Sequence, residues 1–156
     1  MKLLPSPTIL AVLVLGTVLQ ATYPAQAEQT RVIFPENIDQ LEQFSTVTRG
    51  DVIEEMLTTP EALAAVRNGE PMPNGTHVVL VDYREGEVFR YFIMQKGENW
   101  GADYDDRRRT GDWHFQAFTP DRSVNLNEDP ARCQGCHQAR AEQQFMFTFD
   151  DIFATN

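Results

Sequence analysis

The hydrophobic positions along this chain of 156 residues change their period several times, and each change marks an element. Arg31 to Asp39 reads as an irregular arm, with Pro35 disfavouring regular backbone before it. Leu41 to Arg49 contains Phe44, Thr46, Val47 and Thr48, the β-branched and aromatic mixture of a strand, and Gly50 ends it. Val52 to Leu57 carries a short helical pattern. A clearer helix follows, with Thr59 as N-cap, Pro60 at the first helical position, Glu61 in the first turn, apolar Leu63 and Val66, and Gly69 as stop. Pro71-Met72-Pro73-Asn74-Gly75 is a turn that launches Thr76 to Tyr83, whose apolar run suits a well-buried strand. Arg84-Glu85-Gly86-Glu87 connects it tightly to Val88 to Lys96, rich in Phe89, Tyr91, Phe92 and Ile93, so the two predict a β-hairpin.

Gly97 to Gly111 is a long polar loop. Asp112 to Phe118 then alternates Trp113, Phe115 and Ala117 with His114, Gln116 and Phe118, the pattern of a further sheet strand. After a loop from Thr119 to Ala131, a helical segment runs to about Gln143, and Phe145 to Phe149 closes the chain with aromatic bulk. The predicted class is α+β: an antiparallel β-sheet domain with a few short helices, one of them near the C-terminus.

The first 27 residues stand apart from this pattern. Lys2 supplies a small positive region, Ile9 to Leu19 an apolar run, and Ala25-Gln26-Ala27 a small-x-small cleavage site, so 1–27 reads as a secretory signal peptide and 28–156 as the mature domain. The apolar run is short for a membrane span, and Gly16, Pro5 and Pro24 interrupt or flank it. Loss of Lys2 takes the formal charge from −10 to −11. That balance argues against nucleic acid or an anionic membrane surface as partner and permits docking to a basic redox protein, while most often such a surface simply keeps a secreted protein soluble.

The candidate chemistry lies in Arg132-Cys133-Gln134-Gly135-Cys136-His137-Gln138, which holds both cysteines of the chain. Cys-x-x-Cys-His is the attachment pattern of a c-type haem. Residues three apart share a helix face, so both thiols can reach the vinyl groups of one porphyrin, and His137 is then placed as the axial iron ligand. A zinc site would need two further ligands, and only His77 and His114 remain, both in predicted strands. A thiol redox pair is expected near a βαβ pattern, ahead of a helix, whereas this pair lies near the C-terminus. Haem attachment agrees with the export signal and places the protein in the periplasm. Asp103, Asp105 and Asp106 lack the spacing of a calcium loop and read as solvated. Arg107-Arg108-Arg109, the basic cluster, could neutralise haem propionates or meet a partner; a solvated run is the commoner outcome.

Only a short tail follows His137, and Met146 lies too close in sequence to reach the opposite porphyrin face. Met56, Met72, Met94, His77 and His114 are the candidates for a second axial ligand, each read more readily as packing or surface, which predicts an open distal face. Arg49, Glu54, Glu55 and His114 are the candidate distal polar groups.

Several local patterns occur together in one order: Thr59-Pro60-Glu61-Ala62 with Ala64-Ala65-Val66-Arg67-Asn68-Gly69, then Pro71-Met72-Pro73-Asn74-Gly75-Thr76, then Gly111-Asp112-Trp113, then the haem motif followed ten residues later by Phe147-Thr148. In this the chain resembles the cytochrome P-460 family and its non-enzymatic relatives, the cytochromes c-prime-beta. The resemblance implies an antiparallel sheet domain, one haem c held by Cys133 and Cys136 with His137 on the iron, and often a homodimer. It also implies either electron transfer and binding of a small ligand such as nitric oxide, or oxidation of hydroxylamine or a related nitrogen compound. The hydroxylamine-oxidising members carry a lysine in the strand after the Gly-Thr turn, cross-linked to the porphyrin edge; this chain has Leu80 there. Family members also often have an acidic residue at the place of Gln144.

Overall fold

The computed structural model describes residues 28–154, so the expected leader over 1–27 lies outside the described residues. Five strands form one antiparallel sheet in the order β1-β2-β3-β4-β5: β1 Glu42–Arg49, β2 Val52–Thr58, β3 His77–Arg84, β4 Glu87–Lys96 and β5 Trp113–Phe118. Two helices accompany them, α1 Pro60–Arg67 and α2 Pro130–His137, together with short 3-10 segments at Ile38–Gln40, Trp100–Asp103, Gln138–Gln143 and Phe149–Phe153. The predicted α+β class is therefore the observed one.

One element differs from its sequence pattern. Val52 to Leu57 is not helical but the second strand, paired with β1 on one side and β3 on the other. Arg49 pairs with Val52 across Gly50-Asp51, and Gly50 has φ +64°, where a glycine at the first turn position gives the twist that two-residue hairpins need. Glu54, Glu55, Met56 and Leu57 favour a helix locally, but ladders on both edges outweigh that preference in so short a segment. The β3–β4 hairpin needs left-handed backbone at both central residues, and Glu85 (φ +53°) and Gly86 (φ +83°) supply it.

α1 forms where its capping signals fall. Thr59 Oγ1 accepts from Ala62 N at 3.2 Å. At the other end Gly69 N donates to Val66 O and Glu70 N to Ala65 O, each at 2.9 Å, closing the helix around a left-handed glycine. The Thr59 cap is worth about 1 kcal/mol.

Register divides the sheet into two faces, both covered. Met56, Leu80, Phe92 and Ala117 lie in one cross-strand row, and Val78, Met94 and Phe115 in the next. This face packs with Phe44, Leu63, Val66, Met146 and Ile152 in one core. The opposite face presents Val79, Val81, Tyr91, Ile93 and Phe118 to the N-terminal arm, where Val32, Phe34 and Ile38 cover it. Burial on both sides is why β3 reads as an almost unbroken apolar run and why every residue of β5 is buried.

Candidate haem site

α2 begins with Asp129, whose carboxylate accepts from Ala131 N at 2.9 Å, and Pro130 at the first helical position. Cys133 is half-buried and Cys136 exposed, and no disulfide joins them. His137 closes the helix with its ring between Phe115, 4.7 Å away between centroids, and Phe147, 5.0 Å away.

The position of that ring is fixed by the turn that follows. Gln144 and Phe145 take φ values of +50° and +64°, an irregular turn that brings the Phe145 carbonyl within 2.5 Å of His137 Nδ1. A carbonyl only accepts, so Nδ1 carries the proton and Nε2 keeps its lone pair. Burial pushes the His137 pKa below its ordinary value, with the Phe145 hydrogen bond opposing, which favours the neutral imidazole a metal requires. The Gln144 side chain anchors the turn, accepting from Met72 N at 2.8 Å and donating to Glu70 O at 3.4 Å. A carboxylate in its place could make the first of these bonds but not the second.

Burial and the nearby Glu128 carboxylate push the Cys133 thiol up to about 11. That is the opposite direction from the lowered pKa of a reactive redox thiol. Among the described residues no group of three or more His, Cys, Asp or Glu could hold a metal ion. His77 and His114 stand in one row with Gln95 on the face covered by the arm, away from the cysteines.

A cavity of about 570 Å³ lies between the other face of the sheet and the segment from α2 to Thr148. That volume falls within the range of small-molecule and cofactor sites. His137, Cys133 and Cys136 line one end beside β5; Val78, Leu80, Phe92 and Met94 line the middle; Val47 and Met56, on β1 and β2, line the far end. Strands in a sheet lie about 4.8 Å apart, so the far end is three or four strand spacings from His137. The rim carries two ion pairs, Arg49 with Glu54 and Arg90 with Glu128.

The sequence candidates divide accordingly. Met56, Met94, Arg49 and Glu54 reach the cavity, whereas Met72 is fully buried in the connection after α1. His114 is behind the sheet, its Nε2 on the Trp100 carbonyl at 2.9 Å, and Glu55 faces Tyr83 there. Lys96 Nζ donates to Met72 O at 2.6 Å and does not line the cavity. None of the three arginines lines the cavity; Arg107 and Arg109 are exposed, as a solvated run would be, with Arg109 on the carbonyls of Gly101 and Tyr104, whereas Arg108 is half-buried and bonds Gln134 and Glu28. Of the acidic loop, Asp103 pairs with Arg31 at 2.7 Å.

Sequence reasoning missed the Asp82–Arg90–Glu128 cluster. Asp82 is 1% exposed and holds Arg90 Nε at 2.9 Å. A signal existed: opposite charges interrupt two apolar strands at nearly equal distance from the Glu85-Gly86 turn, which places them side by side across a hairpin.

No helix among the described residues is long and apolar enough to cross a membrane. No curated protein matches the chain. The family model of cytochrome P460 matches residues 35–148, from the arm through all five strands and the Cys-x-x-Cys-His helix to the threonine after Phe147. With that match over most of its length, the chain belongs to the cytochrome P460 family of haem proteins.

Proposed function

We propose that this chain is an exported c-type cytochrome in which Cys133 and Cys136 carry one haem through thioethers and His137 binds the iron. The second axial position is left open, serving electron transfer or the binding of a small ligand such as nitric oxide. The observation that carries this reading is the His137 tautomer: a neutral ring on the cavity wall, Nδ1 held by a carbonyl and Nε2 left with its lone pair. Both thiols lie one helical turn or less from that ring, and the cavity is apolar through its middle, as a porphyrin requires. When bound, the haem supplies an iron that exchanges one electron and accepts a small molecule.

The remaining roles belong to the chain's own residues. Phe115 and Phe147 limit rotation of the His137 ring, Leu80 and Phe92 exclude water, and the rim ion pairs keep charge at the entrance. Export to the periplasm rests on the leader pattern. The acidic surface suits a basic redox partner.

Five-coordinate, high-spin ferrous iron is the expected state. Neither histidine behind the sheet can reach the cavity without unpacking the arm, and of the candidate second ligands the two that line it are the thioethers of Met56 and Met94, weak donors set in the apolar wall. Magnetic circular dichroism of the reduced protein with and without nitric oxide checks this. A low-spin signal would move the role to electron transfer, and its conversion to high spin in Met56→Leu or in Met94→Leu would identify the ligand.

Hydroxylamine oxidation of the cross-linked type is not expected. Leu80 lines the cavity where the resemblance places the cross-linking lysine, and Leu80 has no nitrogen to donate. Lys96, the lysine that stays after leader removal, is engaged at the Met72 carbonyl. Tryptic mapping of the holoprotein should return the Lys96 peptide free of haem. A fragment joining Lys96 to the Cys133 peptide would make the hydroxylamine-oxidising reading the first one.

A further inference from the structure

Within the arginine run after Asp106, Arg108 is turned toward α2. Arg108 Nε donates to Gln134 Oε1 at 2.8 Å, and Gln134 is fully buried between the two cysteines. The two terminal nitrogens of the same guanidinium hold the Glu28 carboxylate. One helical turn on, Gln138 Nε2 donates to the carbonyls of Asp106 and Arg109, each at 3.1 Å. Residues four apart share a helix flank, so one flank of α2 is docked on the loop.

The loop is in turn strapped by the N-terminal arm. Arg31 pairs with Asp103, and Tyr104 Oη donates to Glu28 Oε1 at 3.3 Å. The arm is fastened to the sheet by buried glutamines: Thr30 N donates to Gln116 Oε1 at 2.9 Å and Ile33 N to Gln95 Oε1 at 3.0 Å.

We infer that Arg108 and Glu28 are positioning residues for the haem-attachment helix, fixing the rotation of α2 about its axis and with it the orientation of His137. This rests on Cys133, Cys136 and His137 being the attachment site. α2 has eight residues, too few to hold a helix by local bonds alone, and the strand it packs on is β5. Its orientation therefore depends on side-chain bonds along its flanks: His137 to the Phe145 carbonyl on one side, Gln134 and Gln138 to the loop on the other. Gln134 meets two side chains of the loop, Arg108 at its Oε1 and Tyr104, and Arg108 is the charged one of the two. Without Arg108 the carbonyl of this buried amide loses that partner, and the flank of the helix loses its strongest tie to the loop.

The test is the iron–histidine stretching band in resonance Raman spectra of the ferrous holoproteins. Wild type and Thr59→Ala, which removes a cap remote from α2, should give one narrow band. Arg108→Ala should broaden or split it, and Glu28→Ala should do so to a smaller extent. Arg108→Lys protects the experiment against a misfolded alanine variant: an ammonium can keep Glu28 but cannot also present the planar fork that reaches Gln134. Its band should broaden as well. A narrow, wild-type band in Arg108→Ala or Arg108→Lys overturns the inference, and so does equal broadening in Thr59→Ala, which would reduce the effect to general destabilisation. Wild-type protein without covalent haem, seen by mass before any variant is compared, would remove the attachment reading itself and this inference with it.

Discussion

Serine at both Cys133 and Cys136 will yield a protein whose haem, if any is retained, leaves it in acidified organic solvent, whereas wild-type protein will keep its colour through the same extraction. Two thioethers resist acid, while an iron–imidazole bond does not once His137 is protonated and the cavity opens. Intact mass of the wild type should equal the chain from Glu28 plus one haem. The single variants separate chemistry from packing. Cys136 is exposed, so Cys136→Ser removes one thioether with little change in stability. Cys133 packs against the core formed by Phe44, Met56 and Met94, so Cys133→Ser adds a half-buried hydroxyl to the lost bond and should lower both haem retention and the unfolding midpoint. If wild-type colour extracts and both thiols titrate freely, the attachment reading is lost.

The helix that carries those two cysteines was legible because its signals are local: Asp129-Pro130 starts it just ahead of the Cys-x-x-Cys-His spacing, which fits one turn. α1 was legible for the same reason, since Thr59, Pro60 and Gly69 each act on their own backbone. β2 was not. Its Glu54-Glu55-Met56-Leu57 run favours a helix in isolation, and what makes it a strand is pairing with Thr46 and Val47 on one side and Val79 to Asp82 on the other. The site divides along the same line. His137 could be named from its neighbours, but its tautomer depends on the Phe145 carbonyl eight residues on, delivered by left-handed backbone at two non-glycine residues that no propensity favours. The run Arg107-Arg108-Arg109 reads as solvated because charge runs usually are, and Arg107 and Arg109 are exposed; Arg108 is the exception. The partners that turn Arg108 inward, Glu28 and Gln134, lie 80 residues before it and 26 after.

Asp82→Ala should cost about 3 kcal/mol, a substantial part of the roughly 5–15 kcal/mol typical of a domain. Asp82 is 1% exposed on the central strand and accepts from Arg90 Nε at 2.9 Å and from Arg84 at 3.3 Å. Removing it leaves Arg90, itself mostly buried, with Glu128 alone. Two features hold the cost near the lower end of the range for breaking a buried pair. Arg84 is 42% exposed and can regain water, and Glu54 stands directly across the strand from Asp82, so one like-charge contact disappears with the carboxylate. Because Arg90 and Glu128 line the cavity rim, the loss should also reach the site, loosening the start of α2 at Asp129. Urea denaturation of the holoprotein, read as a change in midpoint at constant slope, measures the effect. The double variant Asp82→Ala, Arg90→Ala should be less destabilised than the sum of the singles, since no buried charge is then left unpaired. A loss below about 1 kcal/mol would put the Asp82 pairing in the class of exposed ion pairs and sink the argument that it anchors the rim.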